Sequence, residues 1–360
     1  AGKSTFFFFF IKENGNYLSF DDPDIRELFS RDIKKFEIQF ISKNKITVLD
    51  EANYAENSGI NLKYLADKEN KLWISSSSEL LLSKEVISHL VGRVSILRLY
   101  PFDIKEFLSA KNQKIINKNT LNRFIWEHLT YGGYPKVVLT EDIELKKTIL
   151  RDLYQTMILK DIANTFSIQD ISALELLTKY LSINTGKVLS YDSISKNLNL
   201  SFHTIKKYLD AMKKSYLIQE VTPFYRNKLK EITKQPKIYF IDNGMRNIIS
   251  NSFELTPSGE VFENYVLSEL IKKGFTPKYW RTKTKTEVDF IIEKEKEIIP
   301  IEIKLNSYEK IEKGLRSFIE EYKPKKAFVV DYSKDKKTQK KKYKNCDVEF
   351  INIYYLLEKI

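Results

Sequence analysis

The chain opens with Ala1-Gly2-Lys3-Ser4-Thr5, and a second informative stretch follows at Ile46-Thr47-Val48-Leu49-Asp50-Glu51. The first stretch matches the second half of the phosphate-loop pattern G-x-x-x-x-G-K-[ST], whose backbone N–H groups surround phosphates. The second is an apolar, β-rich run that ends in two carboxylates, which is the Walker B form. A G-K-S-T match alone arises easily by chance in a lysine-rich chain, so the prediction of a nucleotide-binding sheet rests on both stretches.

In such a site each of these residues would have a defined role. Gly2 would be the second glycine of the loop, Lys3 would reach the β- and γ-phosphates of ATP, and Ser4 would ligate Mg²⁺. Asp50 would also hold Mg²⁺, and Glu51 would polarise the attacking water. The alternative for Asp50 and Glu51 is a solvated loop after a strand.

The first half of the predicted phosphate loop would precede Ala1. Its first glycine, and the strand that leads into it, would lie before residue 1. Loss of a central strand would leave its two neighbours unpaired and expose apolar surface. We therefore expect residues upstream of Ala1 in the native protein, and the alternative is a broken nucleotide site.

Three further features belong to the same predicted site. Thr5 completes the loop motif. The strand-like Leu72-Trp73-Ile74 runs into Ser75–Ser78, where a hydroxyl such as that of Ser77 would sense the γ-phosphate. The alternative is that these serines form a turn and a helix cap. Arg93 would stabilise charge on the γ-phosphate of its own or a neighbouring subunit, or it would pair on the surface with a carboxylate.

Composition limits the class of protein. A chain of 360 residues is long enough for two or three domains. Its one cysteine, Cys346, excludes an intrachain disulfide and fits a reducing cytoplasm. The run Phe6–Phe10 is far shorter than the roughly 20 residues of a membrane span, so we expect no membrane association and interpret the run as a buried helix. Five consecutive phenylalanines are unusual in a helix that packs on one face.

Positive charge is concentrated towards the C-terminus. The formal net charge is +12, and residues 226–360 hold 29 Lys or Arg and 21 Asp or Glu. The densest block is formed by Lys334-Asp335-Lys336-Lys337 and Lys340-Lys341-Lys342-Tyr343-Lys344. Such a block suits a nucleic-acid backbone, and the alternative is a solvated lysine-rich loop.

The first two predicted domains differ in pattern. Residues 1–108 alternate between helices and strands, as in an α/β nucleotide-binding sheet, with strands at Tyr17–Phe20 and Ser95–Leu99. Residues 109–165 are predicted to form a helical lid. The turn formers Tyr131-Gly132-Gly133-Tyr134-Pro135 break its helices.

Residues 166–225 have the pattern of a winged helix, in which Asn199-Leu200 forms the turn and Ser201 caps the second helix. A wing strand follows at Tyr216–Val221. The second helix of such a motif enters the major groove of DNA. Its candidate residues for DNA contact are His203, Lys206 and Lys207. The alternative is that the winged helix serves as a packing module between domains.

The last region, residues 226–360, carries a second group of candidate catalytic residues. Two predicted strands hold acidic residues inside apolar runs, and period-two spacing puts Glu302 and Lys304 on one face. Asp289 and Glu302 on neighbouring strands would share Mg²⁺. Lys304 would orient or polarise the hydrolytic water. The alternative is a salt bridge between strands.

The order of predicted elements in this region is helix, three strands, helix and strand. Together with the D…E-x-K arrangement, this order resembles the restriction-endonuclease-like core. In that reading, the first helix would add Glu263 or Glu260 at the rim of the site. Fold alone does not establish cleavage.

Taken together, the motifs resemble a widespread prokaryotic family of AAA-type ATPases with a C-terminal restriction-endonuclease-like domain of unassigned function. The resemblance covers nearly the whole chain. The matching stretches are Gly2–Thr5, Val48–Glu51, Ser75–Ser78, Gly92–Val94, Tyr131–Pro135, Tyr239–Arg246, Gly259-Glu260, Glu263-Asn264, Glu287–Phe290 and Ile301–Lys304. The resemblance implies an α/β multidomain chain with a P-loop ATPase core, a helical lid, a winged helix and a nuclease-like α/β domain. It also implies ATP binding and hydrolysis.

Three functional hypotheses follow. The leading one is a cytoplasmic, Mg²⁺-dependent ATPase that acts on DNA or is regulated by it. The second is an ATP-gated DNA nuclease that uses Asp289, Glu302 and Lys304. The third is a catalytically silent module that binds DNA or a partner protein. Because AAA-type enzymes often form rings, a homo-oligomer is considered as well.

Overall fold

The computed structural model of the protein describes residues 2, 5–7, 11, 15–41, 45–76, 87–112, 118–254, 256–295, 297–333 and 338–360. The chain divides into two compact units. The first comprises residues 1–99 and 159–169, and the second comprises residues 100–158 and 170–360. Within the described residues we find no helix that combines the length and the hydrophobicity of a bilayer span.

The first unit is built on a parallel sheet with the strand order β1-β2-β3. Its elements are β1 (Gly15–Ser19), α1 (Pro23–Arg31), α2 (Ile33–Phe40), β2 (Ile46–Asp50), α3 (Ser58–Ala66) and β3 (Leu72–Ser75). Parallel neighbours need crossover connections, and helices supply them between β1 and β2 and between β2 and β3. The central strand β2 is buried from Thr47 onward. The prediction of an α/β region is confirmed.

Local sequence explains where the first helices begin. Asp22 accepts a hydrogen bond from the backbone N–H of Asp24 at 2.9 Å, and Pro23 occupies the first turn of α1. Asp32 caps α2 in the same way through Lys35 N–H, also at 2.9 Å. Aspartate at the cap and proline at the first position are both favoured. The apolar faces of α1 and α2 pack together with the residue that follows β1. Three aromatic rings are buried there, those of Phe20, Phe29 and Phe36.

Two predictions for the first unit fail. The predicted strand Ser95–Leu99 is irregular, and Leu97 is 94% exposed. It pairs with no other strand among the described residues, so its backbone gains nothing from an extended conformation. Phe6 lies in a helical turn as expected, but it is 49% exposed and stacks on Trp73 rather than being buried. Residues 8–10 of the phenylalanine run lie outside the described residues.

The second unit begins with helices. They are α4 (Ile104–Ala110), α5 (Lys118–Tyr131), α6 (Pro135–Leu139) and α7 (Ile143–Thr156). A π-helical segment, Met157–Asn164, follows α7 along the chain, and its residues from 159 onward belong to the first unit. The helical prediction for this part of the chain is therefore confirmed, whereas its role as a lid stays a prediction.

The predicted break between α5 and α6 is a turn whose backbone packs closely against residues 242–244. We call it the interlocked turn. Gly132 has a φ of +76°, and a Cβ at this position would overlap the Asp242 side chain. The backbone N–H of Gly133 donates a hydrogen bond to Asp242 Oδ2 at 2.8 Å. A Cβ on Gly244 would overlap the carbonyl group of Tyr131. These glycines therefore allow two distant backbone segments to approach closely.

The region predicted as a winged helix contains α8 (Ile171–Ile183), α9 (Tyr191–Leu198), α10 (Phe202–Lys214), β4 (Ile218–Val221), α11 (Lys228–Thr233) and β5 (Lys237–Phe240). Asn199 ends α9 with a φ of +54°, and Ser201 caps α10 by accepting a hydrogen bond from Thr204 N–H at 3.1 Å. The predicted turn, cap and strand are confirmed, whereas the winged helix stays a prediction. The prediction did not include β5, which pairs antiparallel with β4.

The rest of the chain forms a mixed six-stranded sheet flanked by helices. Its elements are α12 (Asn243–Ser250), α13 (Gly259–Lys272), β6 (Lys278–Arg281), β7 (Glu287–Lys294), β8 (Glu297–Lys304), α14 (Lys313–Tyr322), β9 (Lys326–Asp331), β10 (Gln339–Tyr343), β11 (Cys346–Ile351) and α15 (Ile353–Lys359). The strand order is β10-β11-β9-β8-β7-β6. The predicted succession of helix, three strands, helix and strand is confirmed, and the last three elements were not predicted. The likeness to a restriction endonuclease stays a prediction.

Candidate functional sites

Asp50 lies at the carboxyl edge of the parallel sheet, where open α/β sheets bind their ligands. Both of its carboxylate oxygens accept hydrogen bonds from side chains of the adjacent strands. Ser75 Oγ donates to Oδ1 from β3, and Tyr17 Oη donates to Oδ2 from β1. Asp50 is 7% exposed. The two donors therefore hold the carboxylate in one orientation.

Glu51 follows where the chain leaves the sheet. Its backbone is left-handed, with a φ of +57°, and its N–H donates a hydrogen bond to the Ser75 carbonyl at 3.1 Å. A positive φ is uncommon for a residue other than glycine and costs conformational energy. The structure thus brings the two predicted Walker B carboxylates, Asp50 and Glu51, to the same edge of the sheet.

Only part of the predicted phosphate loop can be located. Gly2 is exposed and has a φ of +72°, and its carbonyl accepts a hydrogen bond from Phe6 N–H at 2.9 Å. Thr5 is exposed at the start of this helical turn. The predicted site residues Lys3, Ser4 and Ser77 lie outside the described residues.

Arg93 forms a surface ion pair. Its Nε lies 2.5 Å from Asp67 Oδ1, and the two side chains are 42% and 44% exposed. This is the arrangement that the sequence left open as the alternative to a catalytic arginine. Exposed ion pairs of this kind contribute little to stability, and a role for Arg93 at the γ-phosphate stays a prediction.

The three predicted DNA-binding residues share one surface. His203, Lys206 and Lys207 are exposed on α10 and line one wall of a groove of about 540 Å³. Residues 232–236, which run from the end of α11 to the start of β5, also line this groove. Lys213 also lines the groove, but it pairs with Glu220 at 2.9 Å.

The predicted residues of the C-terminal sheet are also brought together. Strands β7 and β8 pair antiparallel with Phe290 opposite Ile301, so Asp289 and Glu302 are neighbours across the pair. Asp289 Oδ2 accepts a hydrogen bond from the backbone N–H of Ile303 at 2.7 Å. Lys304 Nζ lies 2.8 Å from Glu302 Oε1. The ion pair between Lys304 and Glu302 therefore lies within β8 and does not join two strands.

The two carboxylates destabilise each other's charge. Glu302 is 5% exposed, and its Oε2 has no hydrogen-bond partner among the described residues. Burial raises the pKa of Glu302, although Lys304 works in the opposite direction. Burial and the nearby charges of Glu302 and Glu263 raise the pKa of Asp289 well above its usual range. Such a pair is stabilised by a proton or by a cation.

Sequence reasoning missed two residues of this cluster, Lys237 and Tyr239 of β5. Lys237 Nζ lies 3.2 Å from Glu263 Oε1 and also contacts Glu287 Oε1, and its side chain is 4% exposed. Tyr239 Oη donates a hydrogen bond to Glu263. Burial disfavours the charged lysine, but Glu263 and Glu287 raise the pKa of Lys237 above its usual range. The one available signal was a lysine at the start of the apolar run Lys237–Phe240.

The described residues contain no group of three or more His, Cys, Asp or Glu side chains arranged to hold a metal ion. Asp289 and Glu302 nevertheless suit the predicted ion. Mg²⁺ is commonly bound through one or two carboxylates and keeps several of its waters. The buried, unpartnered Oε2 of Glu302 is an oxygen that such a cation would satisfy.

Comparison with known families divides the chain into three matched regions. Residues 1–108 match the family described as an AAA domain. Residues 122–256 match a domain of unknown function, DUF8612, and residues 258–354 match another, DUF4143. Each match covers less than half of the chain.

Three uncharacterized proteins are similar to this chain over 235 to 332 residues. An uncharacterized protein of Methanocaldococcus jannaschii is 30% identical over 332 residues, which cover 86% of this chain and 74% of that protein. One from Haemophilus influenzae is 30% identical over 235 residues, and the alignment spans 58% of its length and 64% of this chain. One from Mycobacterium tuberculosis is 25% identical over 238 residues, 51% of its length and 63% of this chain.

The fold and these matches define a multidomain α/β protein with an N-terminal AAA domain. The chain belongs to the family that includes the Methanocaldococcus jannaschii protein. In this chain an AAA domain precedes the regions DUF8612 and DUF4143. Membership of an AAA family implies possible ATP binding.

Proposed function

We propose that the first unit binds Mg-ATP and hydrolyses it. The observation that carries this proposal is Asp50, which ends the central strand and is held by Ser75 and Tyr17 from both adjacent strands. A buried carboxylate with a fixed orientation at this edge of the sheet suits a metal–nucleotide ligand. The AAA match over residues 1–108 supports the same ligand.

The proposed roles divide among six residues. Lys3 would bind the phosphates of ATP, and Ser4 and Asp50 would hold magnesium, which neutralises phosphate charge when bound. Gly2 and Thr5 would form part of the phosphate loop. Glu51 would accept a proton from the attacking water, because it is the carboxylate that follows Asp50 at the edge of the sheet.

Substitution of the proposed base tests this assignment. Glu51→Gln should keep Mg-ATP binding but lower the hydrolysis rate by roughly 10²- to 10⁴-fold, the usual contribution of a general base. Glu56→Gln is a matched control, because Glu56 is exposed in the connection that follows β2. Hydrolysis by Glu51→Gln at the wild-type rate would reject the assignment.

We further propose that this ATPase acts on DNA or is regulated by it. The support comes from the groove beside α10, where His203, Lys206 and Lys207 present a basic wall. A groove of this charge between the second helix and the wing suits a sugar–phosphate backbone. Dependence of ATP turnover on added double-stranded DNA tests the link, and turnover unaffected by DNA at low salt would reject it.

A second candidate function is cleavage of DNA by the C-terminal sheet. It is favoured by Glu302 Oε2, a buried carboxylate oxygen without a hydrogen-bond partner among the described residues, on the strand next to Asp289. Asp289 and Glu302 would hold magnesium, which supplies Lewis acidity at a phosphodiester when bound. Lys304 would orient the hydrolytic water.

The nuclease candidate has its own test. Asp289→Asn should abolish metal-dependent cleavage of DNA, whereas Asp347→Asn, an exposed change on β11, should leave it unchanged. Cleavage that persists in Asp289→Asn would reject the candidate. DNA binding without any cleavage in the wild-type protein would instead favour a silent binding module.

A further inference from the structure

We infer that the ammonium group of Lys237 is the resident counter-cation of the carboxylate cluster formed by Glu263, Glu287, Asp289 and Glu302, and that a divalent cation binds this cluster in competition with it. The inference rests on the cluster being a cation site, as in the second candidate function. It does not require that the protein cleaves DNA.

Lys237 is the most enclosed cation of the cluster. Its side chain is 4% exposed, and its Nζ contacts Glu287 Oε1 and lies 3.2 Å from Glu263 Oε1. Lys304, the other lysine of the cluster, is 35% exposed and pairs with Glu302. A buried ammonium cannot exchange its partners for water, so removing Lys237 would leave two partly buried carboxylates, 16% and 26% exposed, without this counter-charge.

The negative charge of the cluster is sufficient to bind one cation tightly. Its four carboxylates face Lys237, Lys304 and Arg281, whose Nε lies 3.5 Å from Glu287 Oε2, so one negative charge is left over. Glu302 Oε2 is buried without a hydrogen-bond partner among the described residues. A second, doubly charged cation close to Lys237 would be repelled, because like charges at short range in a poorly solvated site interact strongly. The carboxylates therefore bind either the ammonium or the metal ion well.

The backbone of Lys237 is fixed, so the competition would involve its side chain. Lys237 pairs with Val221 in the two-stranded β4–β5 sheet and forms a bridge with Val188. This sheet belongs to the region matched by DUF8612, whereas the carboxylates belong to the region matched by DUF4143. The counter-cation is thus supplied from outside the domain that carries the carboxylates.

Titration with Mn²⁺, followed by the electron paramagnetic resonance of the free ion, tests the inference in nucleotide-free protein. Lys237→Met should bind Mn²⁺ at least about tenfold more tightly than the wild type, because the repelling charge is gone. Lys237→Arg keeps the charge and should bind as weakly as the wild type. Adding Asp289→Asn to Lys237→Met should remove the gained site, which assigns it to the cluster.

Two results would overturn the inference. One is a folded Lys237→Met variant that binds Mn²⁺ no more tightly than the wild type. The other is micromolar Mn²⁺ binding by the wild type that Asp289→Asn abolishes, and this result is decisive even if Lys237→Met does not fold. Because the readout is ion binding, absence of DNA cleavage would reject the nuclease candidate and leave this inference standing.

Discussion

Asp50 and Ser75 are paired across β2 and β3, and the Ser75 hydroxyl donates a hydrogen bond to the Asp50 carboxylate. In Ser75→Ala the Oδ1 atom of Asp50 would lose this donor, and the carboxylate would lose its fixed orientation. A hydrogen bond to a charged group is worth about 1.5–3 kcal/mol. We therefore expect Mg-ATP to bind about tenfold or more weakly, as measured by calorimetric titration.

Thr47 of the same strand provides the control. Its buried Oγ1 has no hydrogen-bond partner among the described residues, and valine has nearly the same shape. Removing an unpaired buried hydroxyl costs no hydrogen bond, so Thr47→Val should bind Mg-ATP as the wild type does. Equal affinities for Ser75→Ala and Thr47→Val would contradict the role assigned to Ser75.

The interlocked turn predicts a specific loss of stability. In Gly244→Ala the new methyl group would overlap the Tyr131 carbonyl group, so one of the two backbone segments must move. Overpacking of this kind costs about 1–3 kcal/mol in the free energy of unfolding, measurable by denaturant titration. Gly259→Ala is the control, because its Cβ would meet no atom within 4 Å. Equal stability of the two variants would show that the turn is not interlocked.

This turn also marks a limit of sequence reasoning. Turn-forming residues predict a break at residues 131–135, and the break is present. The reason for Gly132 is a contact with Asp242, a residue far along the chain that no local pattern identifies. Lys237 was missed for a related reason, since its importance comes from carboxylates on other elements.

The period-two alternation of side chains was the more reliable signal where strands pair with neighbours. It predicted β7 and β8, and so it placed Asp289 beside Glu302 correctly. The apolar run Ser95–Leu99 has the same local character but pairs with no strand among the described residues. Strand propensity reflects packing against neighbours more than backbone preference, which is why this prediction failed.

Burial of His128 predicts a pH dependence of stability. Its Nδ1 lies 3.0 Å from Tyr265 Oη and its Nε2 lies 2.9 Å from the Phe102 carbonyl. Burial, reinforced by Lys272, lowers the pKa of His128 well below its usual range. Above pH about 6.5 the imidazole is neutral in the folded and unfolded states, so it contributes no pH dependence.

Below that pH the unfolded chain takes up a proton that folded His128 does not. The free energy of unfolding should therefore fall as the pH falls, by up to about 1.4 kcal/mol per pH unit, until the folded pKa is reached. Denaturant titrations from pH 7.5 to 5.5 should show this slope reduced in His128→Gln and retained in His203→Gln, a change at an exposed histidine. If the free energy of unfolding of His128→Gln and of the wild type changed with pH by the same slope, buried His128 would not be the source of the pH dependence.

The basic wall of the groove predicts a salt effect on DNA binding. If Lys206 and Lys207 contact phosphates, replacing either by glutamine should reduce the slope of log affinity against log salt by about one. Lys136→Gln, a change at an exposed lysine on α6, should leave the slope unchanged. Identical slopes for all three variants and the wild type would place the DNA elsewhere or exclude its binding.

We propose above that Asp50 and Glu51, the carboxylates at the edge of the first sheet, support ATP hydrolysis. The most direct test of this proposal is phosphate release from Mg-ATP by the wild-type chain and by Asp50→Ala, both shown to be folded. The wild type should show turnover that requires Mg²⁺, and Asp50→Ala should lose this turnover. Phosphate release by Asp50→Ala at the wild-type rate, or none from the folded wild type, would contradict the proposal.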